Sequence, residues 1–266
     1  MHPSLRDKSV KLFLVLGGFF IANALIAEII GVKIFSVEKT IGFDPLQIRL
    51  FGQDALSLNL TAGVLLWPVV FVMTDIINEY FGMKGVRFLS YLTAGLIVFA
   101  FLVFQLAMLL TPADFFVTSK QGSGISDMNV AYKSVLGQGG FIIIGSIVAF
   151  ILGQLIDVFV FHRIKKVTGE HKIWLRATGS TLVSQFIDSF VVLFIAFYVG
   201  TRVNQNGNDF VWPFGLFIAV GVVNYIYKFL VALLMTPVIY FVHDLIEKYL
   251  GAEKAASMKK AALADE

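Results

Sequence analysis

Six apolar blocks, near residues 10–31, 62–81, 87–110, 138–162, 173–200 and 212–245, dominate this chain. Each holds about 20 or more mostly apolar residues, enough for a helix to cross a hydrocarbon core about 30 Å thick. Barrel strands would be shorter, about 10 residues, and would alternate. With 58% hydrophobic and 15% charged residues, the chain lies well outside the soluble range of about 45–50% and about 25%. The pattern predicts an all-α integral membrane protein: six transmembrane helices in one domain over 1–250, then a flexible cytoplasmic tail over 251–266. The first block is too long, and too polar at its end, for a cleaved signal peptide.

Charge orients the chain. With six alternating helices and a cytoplasmic N-terminus, 14 of the 21 Lys and Arg fall inside, six outside, and Lys228 within a helix. That bias predicts both termini in the cytoplasm. The strongest inside marker, HRIKKVTGEHKIWLR, reads as a solvated basic loop, with His162 interfacial beside Arg163. Trp67, Trp174 and Trp212 fall near block ends, as interfacial aromatics do. Residues 36–60 alternate around Gly52-Gln53-Asp54, which predicts a short outer hairpin between the first two helices. Residues 111–136 read as a flexible outer cover.

Several function classes drop out. There is no cysteine, so there is no disulfide, thiol chemistry or Cys-ligated metal. No Gly-x-x-x-x-Gly-Lys-Ser/Thr appears, so the chain does not hydrolyse ATP itself. Intramembrane proteolysis is disfavoured as well. The loop at 121–124 reads Gln-Gly-Ser-Gly where a serine protease needs Gly-x-Ser-Gly, and no Gly-x-Gly-Asp occurs. No cofactor, metal or direct nucleic-acid contact is expected.

Polar residues inside the apolar blocks carry the functional signal. They are Asn23 and Glu28; Asp75, Asn78 and Glu79; Gln105; Gln154 and Asp157; Gln185 and Asp188; Asn224 and Lys228. One ionisable group at the bilayer centre costs about 2.5–3.5 kcal/mol. Four or five cost on the order of 10–15 kcal/mol, comparable with a domain's whole stability. Such groups must face a protein interior or a water-filled cavity. Spacings of three and four put Gln154 with Asp157, Gln185 with Asp188, Asp75 with Asn78 and Glu79, and Asn224 with Lys228 on shared faces. Asn23 and Glu28, five apart, do not share one. Glu28 also lies near the outer end and is set aside.

Gln and Asn can also be interhelical glue, and Lys228 can simply neutralise Asp157 or Asp188. Three acids against one buried Lys still leave acid unpaired. Carboxylates beside carboxamides suit a cation or proton, or a planar polar heterocycle. A carboxylate accepts from the parallel N–H and NH2 of a guanine-like edge, and Gln and Asn meet the ring oxygen and nitrogens. Aromatic side chains stack on its faces. Two short echoes add a hint of internal repetition. GQLIDVFVF resembles SQFIDSFVV, and IAEIIGVK resembles INEYFGMK. In alternating helices each pair would be antiparallel, as in inverted-repeat transporters.

The stretches ANALIAEIIGVKIF, TAGVLLWPVVFVMTDIINEYFG, LGQLIDVFVFHRIKK, GSTLVSQFIDSFVVLFIAF and NYIYKFLVALLMTPVIY, in this order, resemble the queuosine precursor transporter family (YhhQ-type, also called the vitamin uptake transporter family). The resemblance covers about Asn23 to Tyr240. It implies a multi-pass inner-membrane importer of 7-cyano-7-deazaguanine or its aminomethyl relative, salvaged for queuosine in transfer RNA. Carried over by position, the family's motif residues fall on Asp75, Glu79, Gln154, Asp157, Asp188 and Lys228. The chain departs from the pattern in a longer segment over 36–58, and in Asn224 and Glu79, where some members carry an acid and a base.

On that reading Asp157 or Asp188 clamps the base, and Gln154 and Gln185 read its other polar atoms. Lys228 holds one acid ionised, while Asp75 and Glu79 gate or relay a proton. Asn23, Asn78 and Asn224 complete the candidate substrate-binding set. The alternatives are the substrate-binding subunit of an energy-coupled vitamin importer, and a proton-coupled carrier of another small heterocycle. The partners expected are a small deazapurine and membrane lipid. A homo-oligomer and partner ATPase subunits are associations the sequence leaves open, the latter suggested by Gly18-x-x-x-Ala22.

Overall fold

The computed structural model of the chain describes residues 7–137, 139–169, 172–203 and 211–264. Arg6, the first residue of the fourth apolar block at 138, the 170–171 portion of the basic loop and the last two residues lie outside them. Among the described residues five helical stretches are long and apolar enough to cross a membrane: Lys8–Ile30, Trp67–Leu109, Met128–Thr168, Ile173–Val203 and Phe214–Leu250. The main helices are α1 (Lys8–Ile30), α3 (Trp67–Leu109), α6 (Gly140–Thr168), α7 (Ile173–Leu193) and α9 (Phe214–Leu250). Large apolar side chains such as Leu14, Phe19, Phe99, Leu106 and Leu234 are exposed along them. An apolar surface of this extent needs a membrane or a partner to cover it.

The 43-residue α3 is interrupted at Gly82, whose φ of 69° and ψ of −175° are non-helical. A side chain is poorly tolerated at positive φ, so glycine takes the position. Phe13 of α1 packs on Phe81, with ring centroids 4.9 Å apart, and also lies against Gly85. From that shared end α1 runs along both arms of α3. Gly17 faces Leu89 on the later arm, and Ala27 faces Gly63 just before the earlier one. The two arms therefore travel along α1 in opposite chain directions. A rise of about 1.5 Å per residue would otherwise make α3 about twice as long as a membrane is thick.

Glycines also bring α6 against α7. A methyl at Gly145 would stand 3.3 Å from the Val192 carbonyl, and one at Gly153 would meet Asp188 and Ser184. Gly179 of α7 lies against Ile164. Rising positions on α6 meet falling ones on α7, so the two are antiparallel and close, as small-residue faces permit. α7 and α9 are likewise antiparallel: Thr178 meets Thr236, Asp188 meets Lys228 and Phe190 meets Gly221. The buried core of Phe20, Val70, Ile76, Tyr80, Phe150, Val158 and Phe161 joins α1, α3 and α6.

Between α1 and α3 lie β1 (Ile34–Ser36), a single turn α2 (Val37–Thr40), β2 (Ile48–Leu50), β3 (Gln53–Leu56) and β4 (Asn59–Thr61). β2 pairs antiparallel with β3 across Phe51-Gly52, and β1 pairs with β4. Glu38 pins this layer. It accepts from the Leu58 amide at 2.7 Å, the Leu46 amide at 3.3 Å and the Ser36 hydroxyl at 2.9 Å.

Two expectations about loops differ from the structure. Residues 111–136, expected as a flexible cover, include helices α4 (Asp114–Thr118) and α5 (Met128–Leu136), the latter N-capped by Asp127. The tail, expected as a flexible segment over 251–266, includes α10 (Ala252–Ala264), which packs on α3; α8 is the short helix Gly200–Val203. Ala255, Lys259 and Ala262 of α10 are buried. Their spacing of four and three puts them on one face. A methyl on Gly82 would stand 3.0 Å from the Ala262 carbonyl, so the break in α3 and the packing of α10 fit one another.

Candidate substrate pocket

α3, α7 and α9 enclose a pocket lined by Trp67, Phe71, Asp75, Thr178, Thr181, Gln185, Tyr227 and Lys228 among others. Its interior volume is about 40 Å³, room for a few waters. Trp67 and Phe71, one helical turn apart, stack with centroids 6.0 Å apart and planes at 23°. Pro68 lies in the first turn of α3, where a missing N–H costs nothing, and lines the pocket beside Trp67.

Three of the sequence-selected residues line the pocket directly: Asp75, Gln185 and Lys228. Asp75 and Gln185 are each 2% exposed. Asp75 Oδ1 and Gln185 Oε1 have no hydrogen-bond partner among the described residues. Buried polar atoms without a partner are uncommon in folded proteins and call for an explanation. Lys228 donates to Asp188, closing an ion pair whose side chains are about one-fifth and one-quarter exposed. The expectation that Lys228 neutralises one of the acids thus resolves onto Asp188.

Behind Asp75 lies a second polar layer. Gln154 Oε1 accepts from Thr74 Oγ1 at 3.1 Å, and Asp157 Oδ1 accepts from Ser184 Oγ at 3.2 Å. Asp157 Oδ2 has no partner among the described residues. Asp157 and Asp75 lie between the Thr74–Gln154 and Asn78–His162 contacts that join α3 to α6. Neither Gln154 nor Asp157 lines the pocket.

At the end of the earlier arm of α3, three consecutive residues each bind elsewhere. Asn78 Oδ1 stands 2.7 Å from His162 Nε2 on α6. Glu79 accepts from Arg176 Nη2 at 2.7 Å on α7 and pairs with Lys165 Nζ at 3.1 Å on α6. Tyr80 Oη stands 3.1 Å from His243 Nδ1 on α9, and Lys259 of α10 lies over its ring. These contacts form a polar floor beneath the pocket.

The floor corrects three readings. Lys165 and Arg176, taken as part of a solvated basic loop, are fully buried, while Arg163, Lys166 and Lys172 of that loop are exposed. His162, taken as interfacial, is buried against Asn78. Glu79 supplies the reason for the first two, since one carboxylate deep in the bundle draws two cations inward. Glu28, set aside as an outer-end residue, is also buried and accepts from Ser146 Oγ on α6 at 2.5 Å. Asn23 is not brought to the pocket and donates to the Phe19 carbonyl of its own helix. Asn224 is half-buried on α9 outside the pocket lining, with its Oδ1 unpartnered among the described residues.

No group of three or more His, Asp or Glu among the described residues could hold a metal ion. What the pocket offers is a carboxylate, a carboxamide, an ammonium–carboxylate pair and aromatic faces. That set suits a small planar polar molecule.

Comparison with known proteins gives the family. A family described as "Putative vitamin uptake transporter" matches residues 61–242. A Bacillus subtilis (strain 168) protein named "Probable queuosine precursor transporter" is 28% identical over 200 residues, covering 75% of this chain and 76% of its own. The Escherichia coli (strain K12) "Queuosine precursor transporter" is 28% identical over 145 residues, 54% of this chain and 58% of its own. A Haemophilus influenzae relative of the same description as the first is 26% identical over 187 residues, 67% of this chain and 66% of its own. No solved structure matches. With its apolar helices, its matched span and these relatives, the chain belongs to the vitamin uptake transporter family, a family of queuosine precursor transporters and not of enzymes.

Proposed function

We propose that this protein imports a 7-deazaguanine queuosine precursor, 7-cyano-7-deazaguanine or its aminomethyl relative, and that the base binds between α3, α7 and α9, the pocket widening from its few-water volume to admit it. The observation that carries the reading is the pair of unpartnered, buried acceptors, Asp75 Oδ1 and Gln185 Oε1, on a pocket edged by Trp67, Phe71 and Tyr227. A guanine-like edge presents adjacent N–H and NH2 donors that a carboxylate accepts together. Asp75 takes that clamp role because it lines the pocket. Gln185, Thr178 and Thr181 meet the remaining polar atoms, the aromatic rings cover the base faces, and the Lys228–Asp188 pair bounds one end.

The chain direction along α1 supports six passes, the two arms of α3 counting separately. Both termini then lie on one side, and the positive-inside bias makes it the cytoplasm of an inner-membrane protein. The Glu79, Asn78 and Tyr80 floor then faces the cytoplasmic half and closes the path below the base. The test is uptake of labelled 7-cyano-7-deazaguanine by cells that cannot make it. Expression of this chain restores uptake, and Asp75→Asn or Gln185→Leu abolishes it. Uptake unchanged in both variants overturns the pocket assignment.

A further inference from the structure

We propose that Asp75 and Asp157 share one proton, carried on Asp157 while Asp75 is ionised for the base, and that this proton crosses with the substrate. The inference rests on the pocket reading above and adds its driving ion. Both carboxylates are 2% exposed, and each keeps one oxygen without a partner among the described residues. They stand on neighbouring helices where α3 and α6 are held together on either side of them, by Thr74–Gln154 and by Asn78–His162. Two carboxylates so placed, away from water, do not both carry charge.

Of the other charged and titratable groups described around them, Tyr227 lines the same pocket and the following are engaged. On α3, Glu79 faces Arg176 of α7 and Lys165 of α6. His162 of α6 meets Asn78. On α7, Asp188 faces Lys228 of α9, and His243 of α9 meets Tyr80. On α1, Glu28 accepts from Ser146. Gln185 supplies a separate pointer. Its unpartnered, buried Oε1 faces the same pocket as Asp75, so the site favours a donor. A metal ion would want about six or more oxygen ligands, and the described residues gather no such acid cluster. A proton needs only the two carboxylates.

The step is a simple transfer. The pocket-lining Asp75 carboxylate takes a proton from the outer side and passes it to the Asp157 carboxylate, and the proton returns by way of Asp75 to the inner side. No bond of the base breaks. Ser184, donating to Asp157 Oδ1, leaves Oδ2 to carry the proton.

The test has two arms on the purified full chain. In proteoliposomes, an inward pH gradient concentrates 7-cyano-7-deazaguanine about tenfold per pH unit for one proton per base. Asp157→Asn equilibrates the base without concentrating it. Accumulation driven by a sodium gradient instead, or undiminished accumulation by Asp157→Asn, overturns the proposal. In detergent, infrared spectra near neutral pH show a protonated carboxylic acid that disappears in Asp157→Asn. Asp75→Asn serves as the second variant: it removes the neighbouring charge while Asp157 stays buried, so the band persists and its pH midpoint falls. A wild type with no such band overturns the proposal. Loss of the band in Asp157→Asn and a lowered midpoint in Asp75→Asn, with no base transported at all, uphold the shared proton and refute the deazaguanine reading instead; an unmoved midpoint in Asp75→Asn overturns the shared proton.

Discussion

Arg176 Nη2 lies 2.7 Å from Glu79 Oε1, with both side chains out of solvent and Lys165 on the other carboxylate oxygen. The pair ties the end of the earlier α3 arm to the start of α7. Arg176 also donates to the Gly169 carbonyl, so it closes the turn between α6 and α7 as well. Removing one partner leaves a charge stranded in a medium that solvates it poorly. Arg176→Met is therefore expected to lower stability by about 3–5 kcal/mol. Arg176→Met with Glu79→Gln is expected to cost less than the two single changes added, in a double-mutant cycle read by thermal unfolding in detergent.

Gly63 lies where a methyl group would stand 2.7 Å from the Ala27 carbonyl. Backbone cannot step aside as a side-chain tip can. Gly63→Ala is expected to destabilise by about 1–3 kcal/mol. Gly18→Ala is the matched control, since nothing lies within 4 Å of that position. Thermal unfolding of the two side by side separates a packing effect from a general cost of losing glycine.

Glu38 lies in the loop layer outside the spanning helices. Burial pushes its carboxyl up, but the amides of Leu58 and Leu46 and the Ser36 hydroxyl outweigh that and hold it below its ordinary value of 4.5. A depressed carboxyl stabilises the fold above the unfolded value and loses that contribution as pH falls through the folded one. Hydrogen exchange at the Leu46 and Leu58 amides is expected to accelerate as pH drops below about 4.5, after correction for intrinsic exchange. In Glu38→Gln the protection is weaker at neutral pH and loses that acid step.

Lys228 and Asp188 form a partly exposed pair at the pocket. Lys228→Met leaves Asp188 uncompensated beside the base, and uptake is expected to fall roughly tenfold or more. Combining it with Asp188→Asn removes the stranded charge and recovers part of the loss. Initial uptake rates of the two single variants and the double one decide this.

The apolar blocks were legible because hydrocarbon imposes a length, and Asp75, Asp157 and Gln185 because it penalises polar groups. Their helical spacing named the shared faces. The floor was not legible. Counting Lys and Arg by loop assigns Lys165 and Arg176 to water, whereas a long cationic side chain near a helix end can turn inward when a carboxylate waits there. Glu28 was missed because an angular offset from Asn23 says nothing about which of the two faces the bundle, and it is Asn23 that turns away. In α10 the Ala and Lys composition resembles a solvated helix, and only Ala255, Lys259 and Ala262 on one side mark the buried face. Gly82 looked like one glycine among 23, yet its positive φ separates the two arms of α3.

Equilibrium binding of 7-cyano-7-deazaguanine to the purified protein tests the central claim most directly. The account predicts saturable binding to the wild type, weakened roughly ten- to a hundredfold by Asp75→Asn and by Gln185→Leu, with adenine failing to compete. Equal binding by wild type and both variants, or equal competition by adenine, contradicts it.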